Sequence, residues 1–268
     1  MWSYNYTDEL YHYGVKGMKW GVRRYEDESG HLTPAGRKRY GEDRYKLNKD
    51  GSIEIQKGAE LQRIVDGKMS KEGIKGQTYA SIGKNDNNQY MNILAKSGTS
   101  KVLKLTAKSV LKSPSSEEAA DIYINVLKNN SKALSEFKQM KSFAEESKAV
   151  TDFDNTLKKA LSNKATAKEK SELYRLANYL FVYDDQIQSS KKQFYKEVQN
   201  KGYNILRDEY DSLSGVVKSP IIILDGESSV SIKSSKIVTN SMSKKASKYV
   251  NKYEKKGEEW AKKHCGIV

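Results

Sequence analysis

Two changes of hydrophobic period constrain this chain more than any other feature. Between Ile53 and Ala107 several short stretches alternate apolar and polar residues, broken by a polar loop through Asn85–Asn88 and a helix start near Tyr90. Ser52-Ile53-Glu54-Ile55 alternates, Leu61, Arg63 and Val65 share one face, Gly73 to Ser81 leads through glycines into a short strand, and Leu103 and Leu105 alternate with Lys104 and Thr106. That is the signature of strands. After Ser113-Pro114 the period becomes helical: Ser115 with Glu118 forms a capping box, and Ala119, Ile122, Tyr123, Val126 and Leu127 make an apolar stripe. Thr151 with Asp154 and Thr166 with Glu169 read as two further caps, the last opening the stripe Leu173, Leu176, Ala177, Leu180 and Phe181. Gly202 stops the block. Strand texture then returns at Tyr203–Leu206, in the buried-type run Ile221–Leu224, and in two short pieces, Val230–Ile232 and Lys236–Val238. A sheet begun, interrupted by helices over 115–201 and resumed predicts one α+β domain with a helical insertion, spanning about 51–240.

Composition narrows what surrounds that domain. Of 268 residues 37% are hydrophobic, enough for a modest core, and a formal net charge of +14 favours acidic partners such as nucleic acid, an acidic protein lattice or an anionic membrane face, among which charge alone does not choose. The longest aliphatic run, Ile221–Leu224, is far short of the roughly 20 residues a membrane helix needs. The first residues lack a cationic flank followed by an apolar stretch, so cytoplasmic synthesis and residence are expected. One cysteine, Cys265, excludes an internal disulfide, and three scattered histidines, His12, His31 and His264, support neither a metal site nor a nucleophilic triad. From Ser241 onward clustered lysines mark a basic C-terminal helix over 241–268, with weak, sequence-independent nucleic-acid binding as its expected property and a solvated helix face as the alternative.

Residues 1–50 form a third region, an extended segment without core periodicity. Within it stands Tyr11-His12-Tyr13-Gly14-Val15-Lys16-Gly17-Met18-Lys19-Trp20-Gly21-Val22-Arg23-Arg24-Tyr25, where closely spaced glycines, a single Trp and cations without an acid suit a peptide that docks in a groove. Tyr13, Lys16, Gly17, Met18, Lys19, Trp20, Arg23 and Arg24 are its candidate partner-binding residues. The string resembles a segment near the ends of many structural-module proteins of tailed phages of Gram-positive hosts, and the likeness runs on to Tyr40. The resemblance implies a virion protein, made in the host cytoplasm and bound to capsid or other virion components.

In the central region Arg63 lies on an early strand, Gly76-Gln77-Thr78-Tyr79-Ala80-Ser81 on a second, Tyr90 beyond it, then Gly202-Tyr203 and the late strand Ile221–Asp225. That order of elements is similar to the ADP-ribosyltransferase superfamily, including divergent phage members. The resemblance implies a split, antiparallel-rich sheet and a site for NAD as substrate. In it Tyr79 and Tyr90 sandwich nicotinamide, Ser81 or Thr78 holds its amide, and Arg63 steadies a phosphate or ribose. An Arg between apolar neighbours also fits an edge strand from which it snorkels to water. The family's catalytic Glu would fall near Ser219, which carries no charge; Asp208, Glu209 and Asp211 in the preceding turn are substitute acids, with Glu227 after the strand. Two functions follow from the resemblances: a virion-borne effector that transfers ADP-ribose from NAD to a host target, or a non-catalytic structural accessory protein contacting capsid and packaged DNA.

Overall fold

In the computed structural model the described residues are 33–35, 44–65, 73–82, 99–146, 149–150, 152–183, 187–208 and 219–248. They form an α+β architecture with two antiparallel sheets and a block of helices between the early and late strands. The early strands are β1 (Tyr45–Leu47), β2 (Ile53–Ile55), β3 (Glu60–Val65), β4 (Thr78–Ile82), β5 (Lys101–Ala107) and β6 (Leu111–Lys112). The late ones are β7 (Ile205–Arg207), β8 (Pro220–Ile223) and β9 (Val230–Ile237). The larger sheet has the order β7-β8-β4-β3-β5-β9 and the smaller one β1-β2-β6. Strands separated by the whole helical block are therefore direct neighbours, Tyr79 lying opposite Ile222 and Ala80 opposite Ile221.

The insertion comprises α1 (Ser116–Asn129), α2 (Ser131–Lys138), α3 (Lys141–Glu146), α4 (Phe153–Leu161), α5 (Ala167–Tyr183) and α6 (Gln188–Asn200). Its starts follow from local chemistry. The Glu118 N–H donates to Ser115 Oγ at 3.1 Å, but the Glu118 carboxylate accepts from the Tyr203 hydroxyl at 2.6 Å instead of closing the box. At α5 the box is reciprocal: the Thr166 N–H donates to Glu169 Oε2 at 2.8 Å and the Glu169 N–H to Thr166 Oγ1 at 3.2 Å. The α4 cap corrects the expectation of Thr151, because Asp152 accepts from the Asn155 N–H. Asp is as good an acceptor as Thr, and the helix begins one residue later. Gly202, at φ +86°, ends α6 in the left-handed conformation that helix C-termini favour. Beyond the insertion lie α7 (Gly226–Ser229) and a helix over 240–248, α8.

Three layers result. The helices gather a core that includes Leu206, Ile222 and Leu224, so they cover one face of the β7-β8-β4 side. The opposite face, with Leu61, Ala80, Ile82, Leu103, Ile221 and Ile223, packs against Ile53, Ile55 and Leu111 of the smaller sheet to form a second, lower core. The 240–248 helix places Ala246 and Met242 against Ile64, Val102 and Val238.

Two further expectations are corrected. The two pieces expected at Val230–Ile232 and Lys236–Val238 are one strand, β9, which ends at Ile237 and whose register with β5 shifts between Lys104 and Leu105, breaking the alternation that a single strand would show in sequence. Ordered sheet also starts before residue 51, since Tyr45 and Leu47 of β1 pack against the lower core. Three residues are too few to display a period.

Candidate functional site: the seam between sheet and helices

Strand β4 sorts the proposed site residues by parity. Thr78 and Ala80 pair with Ile223 and Ile221, which belong to the lower core, whereas Tyr79 pairs with Ile222 of the helical core. Tyr79 and Ser81 thus leave the sheet toward the helices and Thr78 leaves it on the other side. Strand β3 obeys the same rule: Arg63 pairs with Leu103, a lower-core residue. Arg63 and Tyr79 therefore stand on opposite faces, as do Arg63 and Ser81.

Arg63 is not at an edge, because β3 lies between β4 and β5. Its surroundings show what an interior Arg does when no carboxylate among the described residues meets it. Strands β3 and β4 pair only at Leu61 with Ile82 and Gln62 with Ser81, then part. Across the split, Arg63 Nη1 donates to the Tyr79 carbonyl at 2.8 Å. Nε is buried with no hydrogen-bond partner, and burial lowers the guanidinium pKa from its usual value, a change opposed by nearby Tyr79. The guanidinium props the split between two strands.

Thr78 is likewise committed to the fold. Its hydroxyl donates to the Gly76 carbonyl at 3.3 Å, and the Gly226 N–H reaches the same oxygen at 2.8 Å. A Cβ on Gly226 would come within 2.4 Å of Thr78 Oγ1 and 2.3 Å of the Ile74 carbonyl oxygen, so this turn closes tightly over the strand.

The helix-facing side holds a polar seam. Gln77 Nε2 donates to Tyr79 Oη at 2.6 Å. Tyr195 of α6 lies beside them, its hydroxyl buried and without a hydrogen-bond partner. Its pKa is raised well above the usual value, first by burial and then by Tyr79, Tyr174 and Asp208; Gln77 opposes the shift, but its amide is aligned on Tyr79. Asp208 is 1% exposed, and its N–H donates to the Pro220 carbonyl at 3.1 Å. Ser81, fully buried, pairs with Pro220 from the other side. Asp208 and Ser81 are thus two strand spacings apart, about 10 Å between backbones.

Of the residues singled out in the sequence, Tyr79, Ser81 and Asp208 come to one face. Arg63 and Thr78 go to the other. Tyr90, Glu209 and Asp211, and the N-terminal residues Tyr13, Lys16, Gly17, Met18, Lys19, Trp20, Arg23 and Arg24, lie outside the described residues, as does the tail beyond 248. Gln77 and Tyr195 belong to the seam without having been singled out. Gln77 sits inside the quoted Gly-Gln-Thr-Tyr run, but Tyr195 had no signal beyond adjacency to a core Phe.

Packing says what the seam can do. Tyr79, Tyr195 and Tyr203 adjoin the helical core, where Tyr123, Tyr174, Phe181 and Phe194 meet ring to ring at 5.5–6.4 Å. A shallow hollow of about 410 Å³ lies elsewhere, on the helical block, lined by Lys138, Asp154, Leu157, Lys158, Leu161 and Ser162. Among the described residues no group of three or more His, Cys, Asp or Glu could hold a metal ion, and no helix is long and apolar enough to cross a membrane.

A family profile described as a family of unknown function (DUF7211) matches residues 3–27, the span that contains the glycine- and Trp-bearing string. No curated protein and no solved structure matches the chain.

Proposed function

We propose that the chain is a non-catalytic accessory protein of tailed-phage particles, docked to capsid or another virion component through residues 11–25, with a body that is a degenerate relative of the ADP-ribosyltransferases. Support for the docking part is the Gly-Trp-cation string, together with a profile match confined to residues 3–27. Support for the kinship is a sheet whose strands β3 and β4 part after two residue pairs, with an Arg and a Tyr on the parting strands.

One observation carries the non-catalytic reading. Arg63 and Thr78 leave the sheet on one face while Tyr79, Ser81 and Asp208 leave it on the other, beneath the helical core. A dinucleotide held by all of them would have to touch both sides of one sheet. The polar groups of these side chains are also engaged in the fold, the Arg63 guanidinium on Tyr79, the Thr78 hydroxyl on Gly76 and the Tyr79 hydroxyl with Gln77.

The enzyme remains the second reading, favoured by the buried Asp208 on the face of Tyr79 and Ser81. A transfer from NAD to a host target would place a carboxylate within about 2.6–3.2 Å of the nicotinamide ribose. Calorimetric titration of the full-length protein with NAD decides between the two. No saturable heat is expected; saturable binding that disappears in Tyr79→Ala would replace the accessory protein with the enzyme. The docking part has its own test. Trp20→Ala combined with Gly17→Ala should leave thermal unfolding unchanged and abolish copurification with assembled particles, and normal copurification of this variant would sink the docking assignment.

A further inference from the structure

The unpartnered edge of the larger sheet is also its most cationic place. Strand β9 ends the sheet and pairs only with β5 among the described residues, and every residue from Ser231 to Ile237 is exposed. From Thr99 to Lys112 and from Ser228 to Lys248 there is not one Asp or Glu, although these two stretches include β5, β9 and α8, which lie side by side. Lys101, Lys104 and Lys108 from β5 and its exit, and Lys233 and Lys236 from β9, are exposed, and α8 adds three more exposed lysines, Lys244, Lys245 and Lys248.

Register gives this charge a face. Lys104 pairs with Ser234, Val102 with Lys236 and Thr106 with Ser231, so Lys104, Lys236, Ser231 and Ser234 stand on the side where α8 rests on Val102. Among the described residues nearby acids are few and partly committed: Glu60 of β3 takes the Lys233 ammonium, and Glu54 lies 3.8 Å from Lys112. Lys108 donates to the Glu227 carbonyl. Edge protection, in which lysines at an irregular strand discourage pairing with another chain, accounts for Lys233 at the register shift. It does not account for Lys104 one strand inward, or for the lysines of α8.

We propose that this β5-β9-α8 surface binds the phosphate backbone of double-stranded nucleic acid. Lys104 and Lys236 are diagonal neighbours across the β5-β9 pair, roughly 7–8 Å apart, and the serine hydroxyls beside them are donors of the kind that contact phosphate oxygens. The same two stretches contain no aromatic residue and no Arg. Without rings there is no platform for unstacked bases, and without Arg forks no bidentate reading of base edges. The surface therefore fits duplex over single strands and any sequence over a particular one. The proposal rests on the accessory-protein reading for where duplex would be met, namely packaged DNA, and extends the contact expected of the tail over 241–268 from its first lysines, on α8, to the sheet.

The test uses full-length chains and a fluorescent 20-base-pair duplex in anisotropy titrations over a series of salt concentrations. Lys104→Glu with Lys236→Glu changes two exposed side chains of the surface; Lys252→Glu with Lys255→Glu and Lys256→Glu changes the tail. The sheet variant should bind about tenfold more weakly at low salt, with the slope of log affinity against log salt shallower by about 2, as loss of two phosphate contacts requires. The tail variant should retain most of the binding. Wild-type affinity in the sheet variant, with or without loss in the tail variant, overturns the proposal, as does absence of duplex binding in the unaltered protein. Equal affinity of the unaltered protein for poly-glutamate of matched charge also overturns it and gives the surface to an acidic protein. None of these outcomes bears on NAD titration or particle copurification, so this inference and the accessory-protein reading fail separately.

Discussion

The two faces of the larger sheet are buried by different chemistry. Toward the helices the core is aromatic: Tyr123 meets Phe137 at 5.4 Å and Phe194 at 5.6 Å, both edge-on, and Phe181 stacks on Phe194 at 5.7 Å. Toward the smaller sheet it is aliphatic, with Ile53, Ile55, Leu61, Leu105, Leu111, Ile221 and Ile223 essentially fully buried. The rings lie where α1, α2, α5 and α6 meet one another, whereas the inner faces of the two sheets interdigitate branched aliphatic side chains. Buried hydroxyls accompany the rings: the Tyr123 hydroxyl shares a hydrogen bond with Ser190 at 2.9 Å, and Tyr195 borders Tyr79 and Asp208. The aliphatic side has its main polar intruder in Arg63, which props the split between strands. Polar groups thus collect on the helical seam, and the aliphatic side behaves as foundation.

This contrast can be broken by substitution. Phe194→Ala should have the largest effect, about 3–5 kcal/mol lost, because its ring touches Tyr123, Tyr174, Phe181 and Tyr195 and its removal leaves a cavity no neighbour can fill. Chemical denaturation of the full-length protein measures it. Leu61→Ala, on the central strand of the aliphatic side, should cost less within the range of about 2–5 kcal/mol, and a greater loss here than at Phe194 would reverse the ranking of the two cores.

The smallest effect is a pH dependence that Glu169 gives the helical block. The Lys159 ammonium, then the Thr166 backbone and hydroxyl, pull the Glu169 carboxyl down from its ordinary 4.5 to about 2. A group whose folded pKa lies below its unfolded one stabilises the fold above the unfolded value and loses that contribution as pH falls through the folded one. Glu169→Gln should therefore lower the melting temperature near neutral pH, with the difference from the unaltered protein shrinking between about pH 4.5 and 2. A pH-independent difference over that range would assign the loss to helix geometry and not to the carboxylate's charge.

The fold was legible in sequence wherever an element was long enough to show its period or carried its own cap. The stripe of α1, the Thr166-Glu169 box and the Gly202 stop all depend on residues within a few positions of one another. Short or irregular elements hid: β1 and β6 have three and two residues, and the register shift in β9 disguised one strand as two. The seam was legible only in part. Tyr79, Ser81 and Asp208 were singled out, but Gln77 and Tyr195 were not, since a polar residue beside a core position carries no local sign of what it will face.

Sequence by itself determined the α+β order of elements, the helical insertion and the excess of positive charge, and it set apart the glycine- and Trp-bearing string of residues 11–25, because period, capping and composition are properties of neighbouring residues. Tertiary structure alone decided which residues share a face. The parity of β4 against β8, some 140 residues away, sends Tyr79 toward the helices and Thr78 away from them. The register of β3 puts Arg63 on the side opposite Tyr79, and the pairing of β5 with β9 gathers lysines from two distant stretches onto one edge. Strand register is fixed by long-range burial, and a slip of one residue would exchange the two faces of the sheet and the site with them.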